Sequence, residues 1–218
     1  MKITACIFDL DGVVVDTAKY HYLAWRRLAQ ELGFHFSPVH NEQLKGVSRM
    51  RSLEILLNVG GISMSQEDMQ SAAQRKNAWY VDYITGITPG EILPGVLDFI
   101  KELDRYGIRK AIGSASKNAG LILKKLEIDR MFDTLIDGTK VTKAKPDPEI
   151  FLLAAKALGC VPNECIVFED AQAGIKAAKN GGMFCIGVGT QDVLTQADWI
   201  INSFQGISWP QILNKLNH

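Results

Sequence analysis

From Pro94-Gly95 onward, short apolar runs alternate with amphipathic segments along the chain. The short runs predict buried strands, and the helical spacing of apolar residues between them predicts helices. Strands that alternate with helices form a parallel sheet that is covered on both faces. We therefore predict an α/β fold built on a Rossmann-like parallel sheet.

The predicted elements follow this alternation. We expect strands at residues 3–8, 109–113, 165–168, 184–187 and 199–201, and helices at residues 96–106, 117–126, 150–158 and 171–180, with a last helix near the C-terminus. Pro148 suits the first turn of the third of these helices. Gly181-Gly182 ends the fourth.

Residues 17–88 have a different, helical pattern. Leu23, Leu28 and Leu32 lie at helical spacing among charged residues, and Gly33 and Gly60-Gly61 divide the region into several helices. No convincing strand pattern occurs there. We predict an all-helical domain at residues 17–87, inserted after the first strand into a core domain formed by residues 1–16 and 88–218.

Composition and charge exclude several classes of function. Lys and Arg (24) balance Asp and Glu (24), so the zero net charge gives no indication of a polyanion-binding surface. A nucleic-acid partner is not excluded by this balance but gets no support from it, and we expect none. No apolar run approaches the ~20 residues of a membrane span. The apolar start of the chain ends at Asp9, too early for a secretory signal. We expect a cytoplasmic protein that does not engage a membrane, with a monomer as its expected state.

The four cysteines support the same location. Cys6, Cys160, Cys165 and Cys185 form no C-x-x-C pair and have mainly apolar neighbours. Free cysteine packs as a small apolar residue in reducing compartments. We therefore predict reduced cysteines in the core.

Polar clusters follow the predicted strands. The clusters are Asp9-Leu10-Asp11-Gly12 after the first strand, Ser114-Ala115-Ser116-Lys117-Asn118 after the second, and Glu169-Asp170 after the third, with Lys145 ahead of the helix that Pro148 opens. Ligands of open α/β sheets bind beyond the carboxyl ends of the strands. The fold would therefore gather these clusters at one edge of the sheet.

Asp9 and Asp11 lie two residues apart, so an extended backbone would direct both carboxylates to one side. A turn in which Asp serves as a cap is the alternative. A calcium-binding EF-hand loop is excluded, because it needs Gly at its sixth position and Glu at its twelfth. Val14 and Tyr20 occupy those positions here.

Taken singly, the other clusters also have structural explanations: Asp170 could cap the next helix, Ser114 could shape a turn, and Lys145 could be solvated. Together they indicate chemistry. Carboxylates gathered at one edge raise each other's pKa unless a cation intervenes, and oxygen ligands beside a phosphate suit Mg²⁺. Ser114 and the amides that open the helix near Lys117 suit a phosphate. Because one Asp can attack phosphorus and a second can protonate the leaving oxygen, we predict a phosphoryl-transfer site.

These motifs resemble the four motifs of the haloacid-dehalogenase (HAD) superfamily. They are Phe8-Asp9-Leu10-Asp11-Gly12, Ser114, Lys145-Pro146 and Glu169-Asp170, and they match in order and spacing across the whole chain. The segment 44–49 is the more specific signal and is similar to the sugar phosphomutases of that superfamily. The resemblance implies a HAD core with an inserted helical cap. Ala144 departs from the pattern, because a hydroxyl residue often precedes the motif lysine.

The resemblance also implies roles for individual residues. It makes Asp9 the nucleophile and Asp11 the general acid/base, with Ser114 and Lys145 on the transferring phosphate. It assigns Mg²⁺ to Asp9, the Asp11 carbonyl, Glu169 and Asp170. It assigns a second, distant phosphate to Arg49, Ser116, Lys117 and Asn118. It places His21, Trp25, Lys45 and Lys76 around the sugar or in support of Asp11, and Gly46, Val47 and Ala115 in the same substrate site.

The implied substrate is a small-molecule sugar phosphate. The resemblance implies interconversion of β-glucose 1-phosphate and glucose 6-phosphate in carbohydrate metabolism, with β-glucose 1,6-bisphosphate as intermediate and activator. A mutase needs two phosphate sites, whereas a phosphatase needs one, and the guanidinium of Arg49 can supply the second because it binds phosphate bidentately.

Three other functions are alternatives. The alternative within the superfamily is a sugar-phosphate phosphatase with the same nucleophile. A phospho-accepting receiver domain is a third hypothesis, against which Asp11 and the helical insertion argue. A dinucleotide-binding role lacks its glycine fingerprint.

Overall fold

The computed structural model describes residues 2–192 and 194–216. In this part of the chain, six parallel strands form one sheet in the order β3-β2-β1-β4-β5-β6. The strands are β1 (Ala5–Phe8), β2 (Arg109–Gly113), β3 (Thr134–Ile136), β4 (Cys165–Glu169), β5 (Phe184–Val188) and β6 (Trp199–Ile201). The chain builds outward from β1 on one side and then returns to pair β4 with β1. This arrangement places the topological switch point, where α/β sheets bind ligands, at the end of β1.

The described residues also form α-helices, which are joined to the strands by loops. Between β1 and β2 lie α1 (Ala18–Glu31), α2 (Pro38–Glu42), α3 (Arg49–Gly60), α4 (Gln66–Ile84) and α5 (Val96–Arg105). After β2 follow α6 (Ala119–Lys125), α7 (Glu149–Leu158), α8 (Gln172–Asn180) and α9 (Trp209–Leu216). Each helix in the described ranges falls short of a bilayer-spanning segment in length or in apolar character.

The central strand β1 is buried on both faces of the sheet. Its alternating side chains place Cys6 and Phe8 in one apolar cluster and Ala5 and Ile7 in another. Helices α5, α6 and α9 contribute to the first cluster, and α7 and α8 to the second. This two-faced burial holds the end of β1 in one place.

Helices α1–α4 form a cap with an apolar cluster of its own. Trp25 and Leu28 of α1 pack there with Leu53 of α3 and Ala72 of α4. The cap also joins the sheet core, because Tyr80 near the end of α4 belongs to the cluster that contains Phe8. The α/β core with an inserted helical cap is the predicted fold class.

Strand β3 is absent from the sequence prediction. It has three residues at the edge of the sheet, and Thr134 and Leu135 are only partly buried. Such a short run gives no clear period-2 signal. The strands at 109–113 and 199–201 are confirmed as predicted.

Several predicted boundaries are wrong by one or two residues. Among the strands, the first begins at Ala5 rather than at residue 3, and those expected to end at 168 and 187 extend to 169 and 188. Among the helices, the one expected at 96–106 covers 96–105, and the one expected at 117–126 covers 119–125. The helices expected at 150–158 and 171–180 cover 149–158 and 172–180. Pro148 is the N-cap of α7 and not part of its first turn. Ala171 is the N-cap of α8, so Asp170 does not cap that helix.

The prediction of core cysteines is wrong for one of the four. Cys6, Cys165 and Cys185 are buried, but Cys160 is partly exposed. It follows Gly159, which ends α7, and therefore lies in a connecting segment at the surface.

We predict that Phe8→Ala lowers the free energy of unfolding by about 3–5 kcal/mol, the usual cost of such a cavity. Phe8 is fully buried, and its ring stacks on that of Phe168 with centroids 4.8 Å apart. Urea denaturation measures the change. Val39→Ala is the control, because Val39 is 74% exposed and its substitution should shift stability by no more than about 0.5 kcal/mol. Equal effects for the two variants would contradict the packing described here.

Candidate active site

A cavity of about 420 Å³ lies between the carboxyl edge of the sheet and the cap. The predicted site residues that line it are Asp9, Asp11, His21, Trp25, Lys45, Gly46, Val47, Arg49, Lys76, Ala115, Ser116, Lys117, Asn118, Lys145 and Asp170. Ser114 and Glu169 are fully buried and do not line the cavity. The structure therefore brings the predicted residues together at the cavity, and only Ser114 and Glu169 lie outside its lining.

The centre of the site is an ion cluster around Lys145. Its Nζ lies 2.7 Å from Asp9 Oδ1 and also contacts Glu169 Oε1. Lys145 is 4% exposed, so both ion pairs are shielded from water. The backbone fixes Asp9 in turn, because its N–H donates to the carbonyl oxygen of Phe168 at 2.9 Å.

Burial and charge shift the pKa values in this cluster. Burial alone would lower the pKa of Lys145, but the charges of Asp9 and Glu169 outweigh it and raise the pKa above its usual value. Burial raises the pKa of Glu169, and the charge of Asp9 adds to this effect. Burial and the charge of Glu169 raise the pKa of Asp170 well above its usual value. An additional cation would relieve this repulsion.

Three of these carboxylates could hold a metal ion. One oxygen each from Asp9, Glu169 and Asp170 lies within 4.8 Å of the others. Oxygen ligands of this kind suit Mg²⁺. Gly174 makes the arrangement possible, because a Cβ at that position would overlap the carboxylate of Glu169.

Asp11 belongs to a second polar group that reaches into the cap. The hydroxyl of Thr17 donates to Asp11 Oδ1, and Nε2 of His21 lies 3.9 Å from the same oxygen. Burial and the charge of Asp9 raise the pKa of Asp11 to about 6, although the Thr17 hydrogen bond opposes the rise. Both protonation states of Asp11 are therefore accessible near neutral pH.

Lys76 supports this group from α4. It is 2% exposed, and its Nζ lies 3.0 Å from His21 Nδ1. The ammonium also lies over two aromatic faces, 4.3 Å from the ring of Trp25 and 4.8 Å from that of Tyr80. Burial, followed by the charge of Lys76, lowers the pKa of His21 well below its usual value, so His21 is neutral.

The loop after β2 forms another wall of the cavity. Its hydroxyls organise its own backbone: Ser114 Oγ accepts from the N–H of Ser116 at 3.1 Å, and Ser116 Oγ accepts from the N–H of Asn118 at 3.2 Å. Asn118 Nδ2 donates to Asn77 Oδ1 of the cap at 2.9 Å. The loop thus presents polar groups to the cavity and contacts the cap.

The cap loop at residues 44–49 closes the cavity from above. Gly46 has a φ of +71°, and a Cβ there would lie 2.8 Å from the Cβ of Ala171, which caps α8. The cap loop therefore packs against the methyl group of Ala171 with no room for a side chain at residue 46. Arg49 begins α3 at the end of this loop and lines the cavity.

Sequence reasoning missed several residues of the cavity wall. Gln70, Gln74 and Asn77 line it from α4, and Asn41 and Ser52 line it from α2 and α3. The i, i+4, i+7 spacing on α4 was a usable signal, because it puts three polar side chains on one helix face. Gly138, Val141 and Thr142 also line the cavity. They follow β3, so no signal pointed to them once that strand was missed.

The fold and the site together define a class. A parallel sheet presents a buried lysine and a carboxylate cluster at its switch point, and a helical cap covers them. Such a site is suited to phosphoryl transfer, because it combines a buried Asp carboxylate, cationic side chains of the kind that contact phosphate and a covering cap.

Comparison with known proteins gives the family. Residues 3–182 match the family model described as haloacid dehalogenase-like hydrolase. The chain belongs to this family.

Individual relatives cover nearly the whole chain. The β-phosphoglucomutase of Bacillus subtilis is 42% identical over 90% of this chain and 88% of the relative. A phosphorylated carbohydrates phosphatase of Thermotoga maritima is 31% identical over 82% of each chain. The crystal structure of a β-phosphoglucomutase from Clostridium difficile superposes with a TM-score of 0.94 at 43% identity, covering 99% of this chain and 97% of that one.

We predict that Thr17→Val raises the pKa of Asp11 from about 6 by about one unit, because it removes a hydroxyl that stabilises the carboxylate. Carbon-13 NMR titration of the Asp11 side chain measures the shift. Thr85→Val is the control, because Thr85 is exposed and its hydroxyl donates to the carbonyl of Asp82 instead. An unchanged or lower pKa in Thr17→Val would show that the hydroxyl does not hold Asp11.

Proposed function

We propose that this protein is a magnesium-dependent β-phosphoglucomutase, which interconverts β-glucose 1-phosphate and glucose 6-phosphate. One observation carries the proposal: a single cavity joins the carboxylate cluster at the sheet edge to a second set of anion-binding groups. That set is Arg49 of the cap with Ser116, Lys117 and Asn118 of the core. Two phosphate sites in one closed cavity are what a sugar bisphosphate intermediate requires. The similarity to β-phosphoglucomutases over nine-tenths of the chain supports the proposal.

Asp9 is the nucleophile in this proposal. One of its oxygens attacks the phosphorus of a sugar phosphate, the bond from phosphorus to the sugar oxygen breaks, and an aspartyl phosphate forms. Lys145 orients Asp9 through the 2.7 Å contact and offers positive charge to the phosphoryl group. Ser114 lies behind Asp9 in the wall, and we assign it to the same phosphate.

Asp11 is the general acid/base. It must donate a proton to the leaving sugar oxygen and later accept one from the attacking sugar hydroxyl. A pKa of about 6 suits both tasks, because a catalyst is most effective when its pKa lies near the working pH. Thr17, His21 and Lys76 position the carboxyl.

A magnesium ion fits the oxygen cluster. We assign Asp9, Glu169 and Asp170 as its side-chain ligands, together with the backbone carbonyl of Asp11. When bound, the ion would neutralise negative charge that develops on the phosphoryl group. The raised pKa values of Glu169 and Asp170 support this assignment, because a nearby cation would favour their ionised forms.

The intermediate, β-glucose 1,6-bisphosphate, must turn round between the two transfers. Its second phosphate would contact Arg49, Ser116, Lys117 and Asn118. The sugar would lie among His21, Trp25, Lys45, Gly46, Val47, Lys76 and Ala115, which face the same cavity. Glucose 1,6-bisphosphate would also activate the enzyme by loading Asp9 with a phosphoryl group.

The proposal includes the organisation of the chain. We assign residues 17–87 to the cap domain and residues 1–16 and 88–218 to the catalytic domain. The separate apolar cluster of the cap supports this division.

We further propose a cytoplasmic monomer. Burial raises the pKa of Cys6 and Cys185 well above the usual value and that of Cys165 to about 12, so these thiols are unreactive.

The direct test incubates the protein with Mg²⁺, β-glucose 1-phosphate and a trace of glucose 1,6-bisphosphate. Glucose 6-phosphate and free phosphate are followed in parallel, with α-glucose 1-phosphate as the control substrate. We expect rapid formation of glucose 6-phosphate with little phosphate, and loss of activity on metal chelation or in Asp9→Asn. Phosphate release without glucose 6-phosphate would instead identify a sugar-phosphate phosphatase.

A second test separates the two phosphate sites. We predict that Arg49→Ala lowers mutase turnover about 10- to 100-fold, since it removes a charge-assisted contact to the distal phosphate. Phosphorylation of Asp9 by acetyl phosphate, which has no second phosphate, should change much less. Arg51→Ala is the matched control, because Arg51 lies on the same helix but pairs with Glu54 at the surface. Equal loss of both activities in Arg49→Ala would refute the division into two sites.

A further inference from the structure

Asn77 connects the cap to the core across the cavity. It lies on α4, and its Oδ1 accepts the 2.9 Å hydrogen bond from Nδ2 of Asn118, which directly precedes α6 of the core. Both side chains line the cavity and are partly buried. Their bond therefore spans the gap that the substrate must enter.

This contact differs in position from other polar contacts between cap and core. Lys19 and Tyr20 both bind Glu91, with contacts as short as 2.7 Å. Those residues lie beside the two chain connections, where cap and core are already tied covalently. The Asn77–Asn118 pair is remote in sequence from both connections. A bond at that place joins cap and core at a point where the chain itself does not connect them.

Helix α4 also couples this bond to the acid/base group. Lys76, the residue before Asn77, reaches His21 Nδ1 at 3.0 Å, and His21 lies beside Asp11. Neighbouring residues of one rigid helix thus contact the acid/base group and the phosphate-binding loop. Loss of the bond at Asn118 would loosen the helix that supports both.

We propose that Asn77 is a positioning residue that clasps the cap to the loop at 114–118 and so determines whether the phosphoryl group passes to sugar or to water. The proposal rests on the proposed function. It adds a residue outside the substrate-binding set given above, and it assigns that residue an effect on product partition.

The aspartyl phosphate at Asp9 has two fates. A sugar hydroxyl oxygen can attack the phosphorus, in which case the bond to the Asp9 oxygen breaks and the hydroxyl proton passes to Asp11. A water molecule can attack in the same way, with the same bond broken, a proton passed to Asp11 and inorganic phosphate released. A closed cap excludes that water, so a weaker clasp favours hydrolysis.

The clasp also prepares Asn118 for its assigned role on the distal phosphate. A carboxamide nitrogen carries two N–H donors. One is directed at Asn77, which fixes the plane of the amide and leaves the second for an oxygen of the ligand. Asn77 acts on the phosphate through Asn118.

The test compares Asn77→Ala with the wild type in the mutase assay. We expect the ratio of free phosphate to glucose 6-phosphate to rise about three- to tenfold, the effect of one hydrogen bond. Phosphorylation of Asp9 by acetyl phosphate should stay within about twofold. Asn58→Ala is the matched control, an exposed asparagine of the cap that does not line the cavity, and it should leave the ratio unchanged.

A conservative variant distinguishes the bond from general packing. Asn77→Asp keeps an oxygen that can accept from Asn118, so it should hold the ratio near the wild-type value while its charge raises the KM for the bisphosphate. Asn77→Leu replaces Asn77→Ala if the latter does not fold, and it should raise the ratio in the same way. An unchanged ratio in Asn77→Ala, or an equal rise in Asn77→Asp or Asn58→Ala, would overturn the clasp.

Failure of the proposed function gives a different result. A wild-type protein that makes no glucose 6-phosphate contradicts the mutase assignment. The clasp can still be tested in that case, because the hydrolysis rate of the aspartyl phosphate formed from acetyl phosphate must rise in Asn77→Ala and not in Asn58→Ala. Equal rates in the two variants would overturn it.

Discussion

The ammonium of Lys145, held between the carboxylates of Asp9 and Glu169, is the interaction on which the site depends. Burying charged groups in this way is costly, and it is tolerated only when the partners are well placed and further hydrogen bonded. The sheet meets that condition, because β1 and β4 pair in parallel with Phe8, the last residue of β1, opposite Phe168. Residues 9 and 169 are therefore adjacent by register. The loop that carries Lys145 then supplies the cation that allows the two carboxylates to stay there.

The cap contributes a different kind of order. Its helices have an apolar cluster of their own, and they contact the core both through Tyr80 in the core cluster and through polar groups around one cavity. Asp11 is affected by residues of both the core and the cap. The charge of Asp9 in the core raises the pKa of Asp11, and Thr17 and His21 at the start of the cap lie beside its carboxylate. The carboxyl of Asp11, the proposed acid/base group, thus lies at the junction of cap and core, and groups from both sides set its pKa.

The sequence predicts the residues of the candidate site better than it predicts the edge of the sheet or the packing of the cap on the core. The polar residues that follow the predicted strands were sufficient to place Asp9 and Asp170 in one site, because strand direction and register decide where those residues go. Lys145 follows the missed strand β3, so its place came from the motif order and not from a strand. Strand β3 escaped notice, since three residues at a sheet edge carry too little periodicity. The Asn77–Asn118 bond was equally invisible, because it depends on how the cap helices pack against the core, and no local pattern encodes that packing.

The contact of Gly46 with Ala171 has a consequence for the choice of substrate. Because a Cβ at residue 46 would lie only 2.8 Å from the Cβ of Ala171, the cap loop packs on the core here with no room for a side chain. The distance between the cap loop and the core is therefore set by the protein itself, before any sugar binds. A methyl group added at residue 46 would push the cap loop away from Ala171. The cavity would then be larger and would accept bulkier phosphate esters. Chains of this family could in this way exchange one sugar for another by altering a residue at the contact between cap and core.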